Sequence, residues 1–163
     1  MRWRYALLGL MLLAPSCGAH AANQVNGCGR YEIWTPDNWK VTFNKERLEA
    51  ESPDNEITLV VAPVEDRAAD LLDEDVIEFI DDEIDAMKVT SDRREKIGGL
   101  EARILEGVGK DNNDAVSFKA VAFDPGGNAG LIEMIVYGDP AMMNRRTYKA
   151  IFDQMLGSFK PQQ

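Results

Sequence analysis

Residues 92–137 have the sequence DRREKIGGLEARILEGVGKDNNDAVSFKAVAFDPGGNAGLIEMIVY, and this stretch decides the fold class. Four segments rich in apolar residues alternate here with turn signals, namely Gly98-Gly99, the polar residues 111–114 and the Pro-Gly-Gly-Asn of residues 125–128. Short glycine-rich or polar runs between apolar segments are typical of β-hairpins. The pattern predicts an antiparallel meander with strands over residues 93–97, 102–108, 116–123 and 131–137.

The last of these segments, residues 131–137, is apolar at almost every position. A strand with one buried face alternates apolar and polar residues, whereas a strand covered on both faces is apolar throughout. We therefore expect residues 131–137 to occupy the centre of the sheet.

Residues 31–62 also have the pattern of β structure. Trp39, Val41 and Phe43 alternate with polar residues, as in a strand with one buried face. Further strands are predicted over residues 31–34, 48–51 and 57–62, with turns at residues 36–38 and 53–55.

Residues 68–87 have the period of an amphipathic helix. Apolar residues recur on one side at about 3.6-residue spacing, namely Ala69, Leu72, Val76, Phe79, Ile80, Ile84 and Met87. The other side, called the acidic face below, carries Glu74, Glu78, Asp81, Asp82 and Asp85. Glu83 falls among the apolar positions, and we expect it to reach a partner or the helix edge because an unpaired buried charge is costly.

A second helix is predicted near the C-terminus. Asp139 suits the N-cap, Pro140 the first helical position and Gly157 the C-cap. Its apolar stripe is predicted to be Met143, Thr147, Ala150, Ile151 and Met155. The order of strands, helix, meander and helix indicates an α+β fold with an antiparallel β-sheet flanked by helices.

The N-terminus has the pattern of a secretory signal peptide. Arg2 and Arg4 precede an apolar run over residues 6–14, and Ala19-His20-Ala21 is a cleavage site of the A-x-A kind. The run is too short for a membrane span, which needs about 20 residues. We expect residues 1–21 to be a signal peptide, 22–30 a loose segment and 31–163 one domain in the periplasm or outside the cell. A lipid anchor at Cys17 is the less favoured alternative.

Cleavage after Ala21 removes side chains that catalysis and metal binding often use. His20 is the one histidine, and Cys17 leaves with the leader, so Cys28 stays as a single thiol. These losses remove histidine-based catalysis, histidine-ligated zinc and an intramolecular disulfide, and we expect no metal and no cofactor. The mature chain has 16 lysines and arginines against 28 acids, a net charge of −12, which disfavours nucleic acid.

Several motifs together resemble a known family. They are Ile33-x-x-Pro36-x-x-Trp39, the helix before Gly98-Gly99, the meander, and the ending Met155-Leu156-x-Ser158-Phe159. Over residues 31–160 the layout is similar to the PsbP-like family, which includes the DcrB-like periplasmic proteins, the photosystem II subunit PsbP and the Ran-binding Mog proteins. The resemblance implies an α/β/α sandwich, no shared catalytic residues, and an accessory or binding role.

Two functional hypotheses follow. The first is an exported, non-enzymatic accessory or binding protein, whose partner is a basic protein or an envelope component that docks on the acidic face. That face has a second interpretation, as the solvated side of a helix. The alternative hypothesis is a carboxylate-based hydrolase acting on a cell-envelope or sugar substrate, which needs two carboxyl groups facing each other across a cleft.

We predict that the mature protein starts at Ala22, because the small residues Ala19 and Ala21 suit the signal peptidase subsites. N-terminal sequencing of the exported protein checks this. A lipid-bearing start at Cys17 would contradict it.

Overall fold

The structure of the chain, a computed structural model, describes residues 24–26, 31–44, 47–64, 71–97, 99–124 and 131–161. The strands are β1 (Gln24–Asn26), β2 (Tyr31–Trp34), β3 (Lys40–Asn44), β4 (Arg47–Glu51), β5 (Ile57–Val64), β6 (Asp85–Ile97), β7 (Leu100–Asp111), β8 (Asp114–Phe123), β9 (Leu131–Gly138) and β10 (Lys160–Pro161). The helices are α1 (Leu71–Glu83), α2 (Pro140–Met143) and α3 (Arg146–Ser158). The predicted leader, residues 1–21, lies outside this description.

Seven strands form an antiparallel sheet in the order β3-β4-β5-β9-β8-β7-β6. It consists of two meanders, β3-β4-β5 and β6-β7-β8-β9, which join where β5 pairs with β9 from Ile57↔Gly138 to Val64↔Leu131. Helix α1 is the connection between the meanders and covers one face of the sheet. Helix α3 and the small sheet β1-β2-β10 cover the other face. The predicted α+β architecture, with helices on both faces, is confirmed.

The turns of the second meander follow the predicted chemistry. Asn112 and Asn113 have φ angles of 49° and 75° and connect the paired residues Asp111 and Asp114. Two consecutive residues with positive φ are typical of a type I′ hairpin turn, and asparagine tolerates that region well. Gly99, with a φ of 91°, lies in the turn between β6 and β7. The predicted turn at residues 125–128 lies outside the described residues.

Strand β9 is the centre of the sheet, as predicted. It pairs with β5 on one side and β8 on the other, and every side chain from 131 to 136 is buried. Ile132, Met134 and Val136 belong to the core under α3, whereas Ile135 belongs to the core under α1. Glu133 is buried as well, at 3% exposure, because both faces of β9 are covered.

Helix α1 packs on the sheet through the predicted residues. Val76 and Ile80 are fully buried against Phe118, Ala120 and Ile135, while the side chain of Leu72 is outside the described part.

Helix α1 is shorter than predicted, since it ends at Glu83 and β6 begins at Asp85. The prediction failed there because Ile84, which follows the helix, and Met87, which lies on β6, still reach the core under α1. The reversal occurs at Ala86, which has a left-handed φ of 50°.

Glu83 has an ion-pair partner, as the sequence predicted. Arg47 Nη1 lies 2.6 Å from its Oε1, and Arg47 Nη2 donates a hydrogen bond of 2.9 Å to its Oε2. The Glu83 side chain is only 8% exposed, and a two-pronged arginine contact of this kind satisfies both carboxylate oxygens. The ion pair ties the end of α1 to β4.

The C-terminal helix differs from the prediction in its phase. Asp139 is the N-cap as predicted, and its carboxylate accepts hydrogen bonds from the backbone N–H groups of Ala141 and Met142. The helix is interrupted after α2 and resumes as α3, which shifts the phase of the buried stripe. Of the predicted stripe, Met155 is buried and Met143 and Ile151 pack on the core, whereas Thr147 and Ala150 are exposed; Phe152 and Leu156 are buried instead.

The predicted C-cap is also wrong. Gly157 lies inside α3, and the cap residue is Phe159, whose ring stacks on Tyr31 with centroids 5.5 Å apart. The apolar contact of Phe159 with the small sheet, rather than a glycine turn, decides where the helix ends.

We expect Ile80→Ala to lower the free energy of unfolding by about 2–5 kcal/mol, because it leaves a cavity between α1 and the sheet. The exposed neighbour Glu78→Ala is the control and should stay within about 0.5 kcal/mol of the wild type. Denaturant unfolding measures both. An unchanged midpoint for Ile80→Ala would contradict the packing described.

Candidate functional site

A cavity of about 490 Å³ lies between the C-terminal helices and the sheet. Its apolar lining comes from both sides, with Trp39, Ile57, Val108, Val136, Met143, Ile151, Phe152 and Met155. Polar side chains at Thr90, Glu106, Ser117, Lys119, Asn144, Tyr148, Lys149 and Asp153 complete the lining. A cavity of this size, lined by apolar and polar side chains together, has the dimensions of a small-molecule binding site.

The sheet extends beyond the helix at this place. Val108 on β7 is 44% exposed. Among the described side chains, it is the one large apolar residue that is exposed. It pairs with Ser117 on β8, which also lines the cavity. One wall of the cavity is therefore a stretch of sheet that the helices leave uncovered.

Lys119 is the cation inside the cavity. Its Nζ lies 4.7 Å from the centroid of the Phe152 ring and 3.9 Å from Asp153 Oδ1. The Lys119 side chain is 23% exposed, against 72% for Asp153. Cation–π contact with Phe152 holds the ammonium against the apolar wall, whereas 3.9 Å is longer than a hydrogen bond.

Like Asp153, Glu106 is an acidic side chain of the lining that lies next to a cation of the chain. It accepts a hydrogen bond of 3.1 Å from Arg93 Nη2, and its backbone carbonyl accepts one of 3.1 Å from Thr90 Oγ1. Both contacts link β7 to the edge strand β6 and fix the outer wall.

A hydrogen-bonded chain holds α3 over the cavity. Tyr148 Oη donates a hydrogen bond of 2.8 Å to Asp54 Oδ2, and Ser52 Oγ donates one of 2.5 Å to Asp54 Oδ1. The Ser52 hydroxyl in turn accepts a bond of 3.0 Å from the N–H of Ile57. The Ser52 hydrogen bond is the main cause of a lowered Asp54 pKa, with Tyr148 adding to it. Burial, followed by the Asp54 contact, raises the pKa of Tyr148.

The acidic face lies on the other side of the sheet. Glu78, Asp81 and Asp82 are exposed on α1 as predicted. Asp85 is exposed too, but it is the first residue of β6 and does not belong to the helix. The side chain of Glu74 is outside the described part. The structure brings none of the described members into the cavity, and within the described residues no group of three potential ligands is arranged to hold a metal ion.

The cavity residues themselves were missed at the sequence level. One signal was available, since Lys119 is the only charged residue between Val116 and Phe123, a strand that is otherwise apolar or small. Lysine within a buried strand marks a position where that face opens to water. On the helical side, Met143, Ile151 and Met155 of the predicted stripe do line the cavity, whereas Tyr148, Lys149 and Phe152 were not in that stripe.

We expect Asp54→Asn to weaken the Tyr148 contact and to lower the free energy of unfolding by up to about 1 kcal/mol near pH 7. Because folding lowers the Asp54 pKa, its contribution is present above the unfolded value of 3.8 and is lost as pH falls through the folded pKa. The difference from the wild type should therefore shrink below about pH 4. Urea unfolding at a series of pH values measures it, with the exposed Asp82→Asn as control. A difference that stays constant down to pH 2.5, roughly, would rule out the linkage.

No helix among the described residues is long and apolar enough to cross a membrane. No family model matches the sequence, and no curated protein matches it.

Solved structures do match the architecture. The cyanobacterial PsbP protein CyanoP from Synechocystis sp. superposes with a TM-score of 0.62 at 15% identity, covering 90% of this chain and 97% of that one. LpqN of Mycobacterium tuberculosis, involved in cell envelope biogenesis, gives 0.55 at 11% identity, with 82% and 83% covered. PA94 of Pseudomonas aeruginosa, a protein of unknown function, gives 0.54 at 14% identity, with 81% and 92% covered. The chain therefore has the PsbP-like fold, as the sequence motifs implied.

Proposed function

We propose that this chain is an exported, non-catalytic binding protein of the bacterial envelope, and that the cavity under α3 is its binding site. The observation that carries the proposal is the cavity itself, with about 490 Å³ enclosed between apolar walls in a protein of one domain. A ligand that covers apolar surface left exposed by folding removes this surface from water, and this favours binding.

The charged groups of the cavity favour binding over hydrolysis. A carboxylate-based hydrolase needs one carboxyl group that keeps its proton near neutral pH. Glu106 is bonded to Arg93, and Asp153 lies beside Lys119 and is mostly exposed. Each of these carboxylates therefore already lies beside a cation of the chain, whereas the hydrolase needs two carboxyl groups free to act on a substrate across the cleft.

The assignment to the envelope has two supports. One is the signal-peptide pattern of residues 1–21, which predicts export. The other is the fold shared with LpqN, a protein involved in cell envelope biogenesis. Fold alone does not carry function, so the cavity and not the likeness is what the experiment addresses.

The acidic face remains a separate candidate surface for a basic partner protein. Glu78, Asp81 and Asp82 lie on α1, on the face of the sheet opposite the cavity. Binding at one surface therefore does not obstruct the other, and a variant of the cavity leaves the acidic face intact.

The neutral fluorophore N-phenyl-1-naphthylamine tests the cavity without regard to charge. We expect the purified protein to bind one probe per chain, with enhanced fluorescence, because the apolar walls exclude water. Val108→Trp places an indole at the cavity mouth and should weaken probe binding about tenfold or more. Fluorescence titration measures the affinity of both.

Glu101→Trp is the matched control, since Glu101 lies on the same strand, is 71% exposed and is not part of the cavity lining. It should bind the probe like the wild type. If the protein does not bind the probe, or if both tryptophan variants lose it equally, the cavity is not a binding site and the proposal fails.

A further inference from the structure

We propose that the cavity is built for a single-chain anionic amphiphile, a fatty acid, with its carboxylate against Lys119 and its acyl chain along the apolar walls. This inference rests on the proposed function, because it names the ligand of the same cavity. It adds a charge requirement that cavity binding alone does not include.

The size of the cavity fits one acyl chain. A dry cavity of about 150 Å³ accommodates one benzene ring, so about 490 Å³ corresponds to three such volumes. The lining is apolar on both sides, from Val136 and Ile57 on the sheet to Ile151 and Met155 on α3. A slender hydrocarbon chain buries its surface against both walls, and each methylene group adds to the binding.

Lys119 places a positive charge in the lining of the cavity. Its ammonium group lies against the Phe152 ring and only 3.9 Å from Asp153, whose side chain is largely in water. A lysine has three hydrogen-bond donors, and an ion pair of that length engages none of them as a short bond. A ligand carboxylate that reaches Nζ would make the hydrogen bond that Asp153 does not.

The helical residues beside the opening of the cavity also carry positive charges. Residues 140–152, which include α2 and most of α3, contain Arg145, Arg146 and Lys149 and no acid. The whole chain has 28 acids against 18 lysines and arginines, so this is a basic region on an acidic protein. Lys149 lines the cavity and Arg145 and Arg146 are exposed beside it. An anion is therefore attracted to this side and repelled by the rest of the surface.

The acidic groups of the lining do not reverse this preference. Glu106 is bonded to Arg93, which partly balances its charge, since Arg93 also lies 3.6 Å from Glu95. Asp153 is exposed, so water screens its charge. A ligand with a cationic head group would instead meet the ammonium of Lys119 at the apolar wall.

Displacement of N-phenyl-1-naphthylamine by three ligands with the same chain tests the charge requirement. The ligands are dodecanoate, methyl dodecanoate and dodecyltrimethylammonium, each titrated below its micelle concentration. We expect dodecanoate to displace the probe at about tenfold lower concentration than the methyl ester, since its carboxylate makes a charge-assisted hydrogen bond. The cationic ligand should be the weakest. This comparison uses only the wild-type protein and does not depend on how a variant folds.

Lys119→Met keeps the length of the side chain and removes its charge. It should reduce the advantage of dodecanoate over the methyl ester to within about twofold while leaving methyl dodecanoate binding unchanged. Lys96→Met is the control, because Lys96 is also a strand lysine in an ion pair, 3.0 Å from Glu101, and does not line the cavity. It should behave like the wild type.

The outcomes separate the two proposals. If the probe binds but dodecanoate is no better than the methyl ester or the cation, the fatty-acid inference is overturned and the binding cavity stands. The same holds if Lys119→Met keeps the full preference for dodecanoate. If the wild-type protein does not bind the probe, the proposed function fails first.

Discussion

The pairing of β5 with β9 is the constraint on which the rest of the structure depends. Eight residue pairs, from Ile57↔Gly138 to Val64↔Leu131, join two meanders that would otherwise be separate sheets. Because the partners are more than sixty residues apart in sequence, closing this ladder costs more chain entropy than closing a hairpin. The ladder places β9 between β5 and β8, and α1 on one side and α3 on the other cover its two faces. The two cores under α1 and α3 then share one central strand.

The crossing of α1 imposes its own requirements on the strands beneath it. A side chain at Gly109 would collide with Ile84, and one at Gly107 would collide with Phe118 and the Lys88 carbonyl. Glycine at these two positions lets the exit of α1 and the start of β6 lie directly on β7. The Arg47–Glu83 pair fixes the end of α1 at the opposite side of the sheet. Close backbone contact at one edge and a half-buried ion pair at the other therefore set the helix position together.

The sequence predicted what depends on local pattern. The apolar run of β9, the turn at Asn112 and Asn113, and the need of Glu83 for a partner all follow from residue type and spacing, and the structure confirms each. Features that depend on tertiary contacts were not predictable. The buried stripe of α3 was only partly predictable because the helix is interrupted after α2, and Asp85 left the acidic face because the chain leaves α1 at Glu83 and enters β6. The cavity depends on strand neighbours that no local pattern specifies.

The cavity exists because α3 is shorter than the strand β7 that it partly covers. A strand advances about 3.3 Å per residue, so the twelve residues of β7 extend roughly 40 Å. A helix advances about 1.5 Å per residue, so the thirteen residues of α3 cover about 20 Å. The helix and the small sheet cover the end of β7 near Ala102 and Ile104 and leave the end near Val108 open. On the opposite face the same end of β7 is closed by the exit of α1 over Gly107 and Gly109. The fold therefore closes one side of this hairpin with backbone and leaves the other side open.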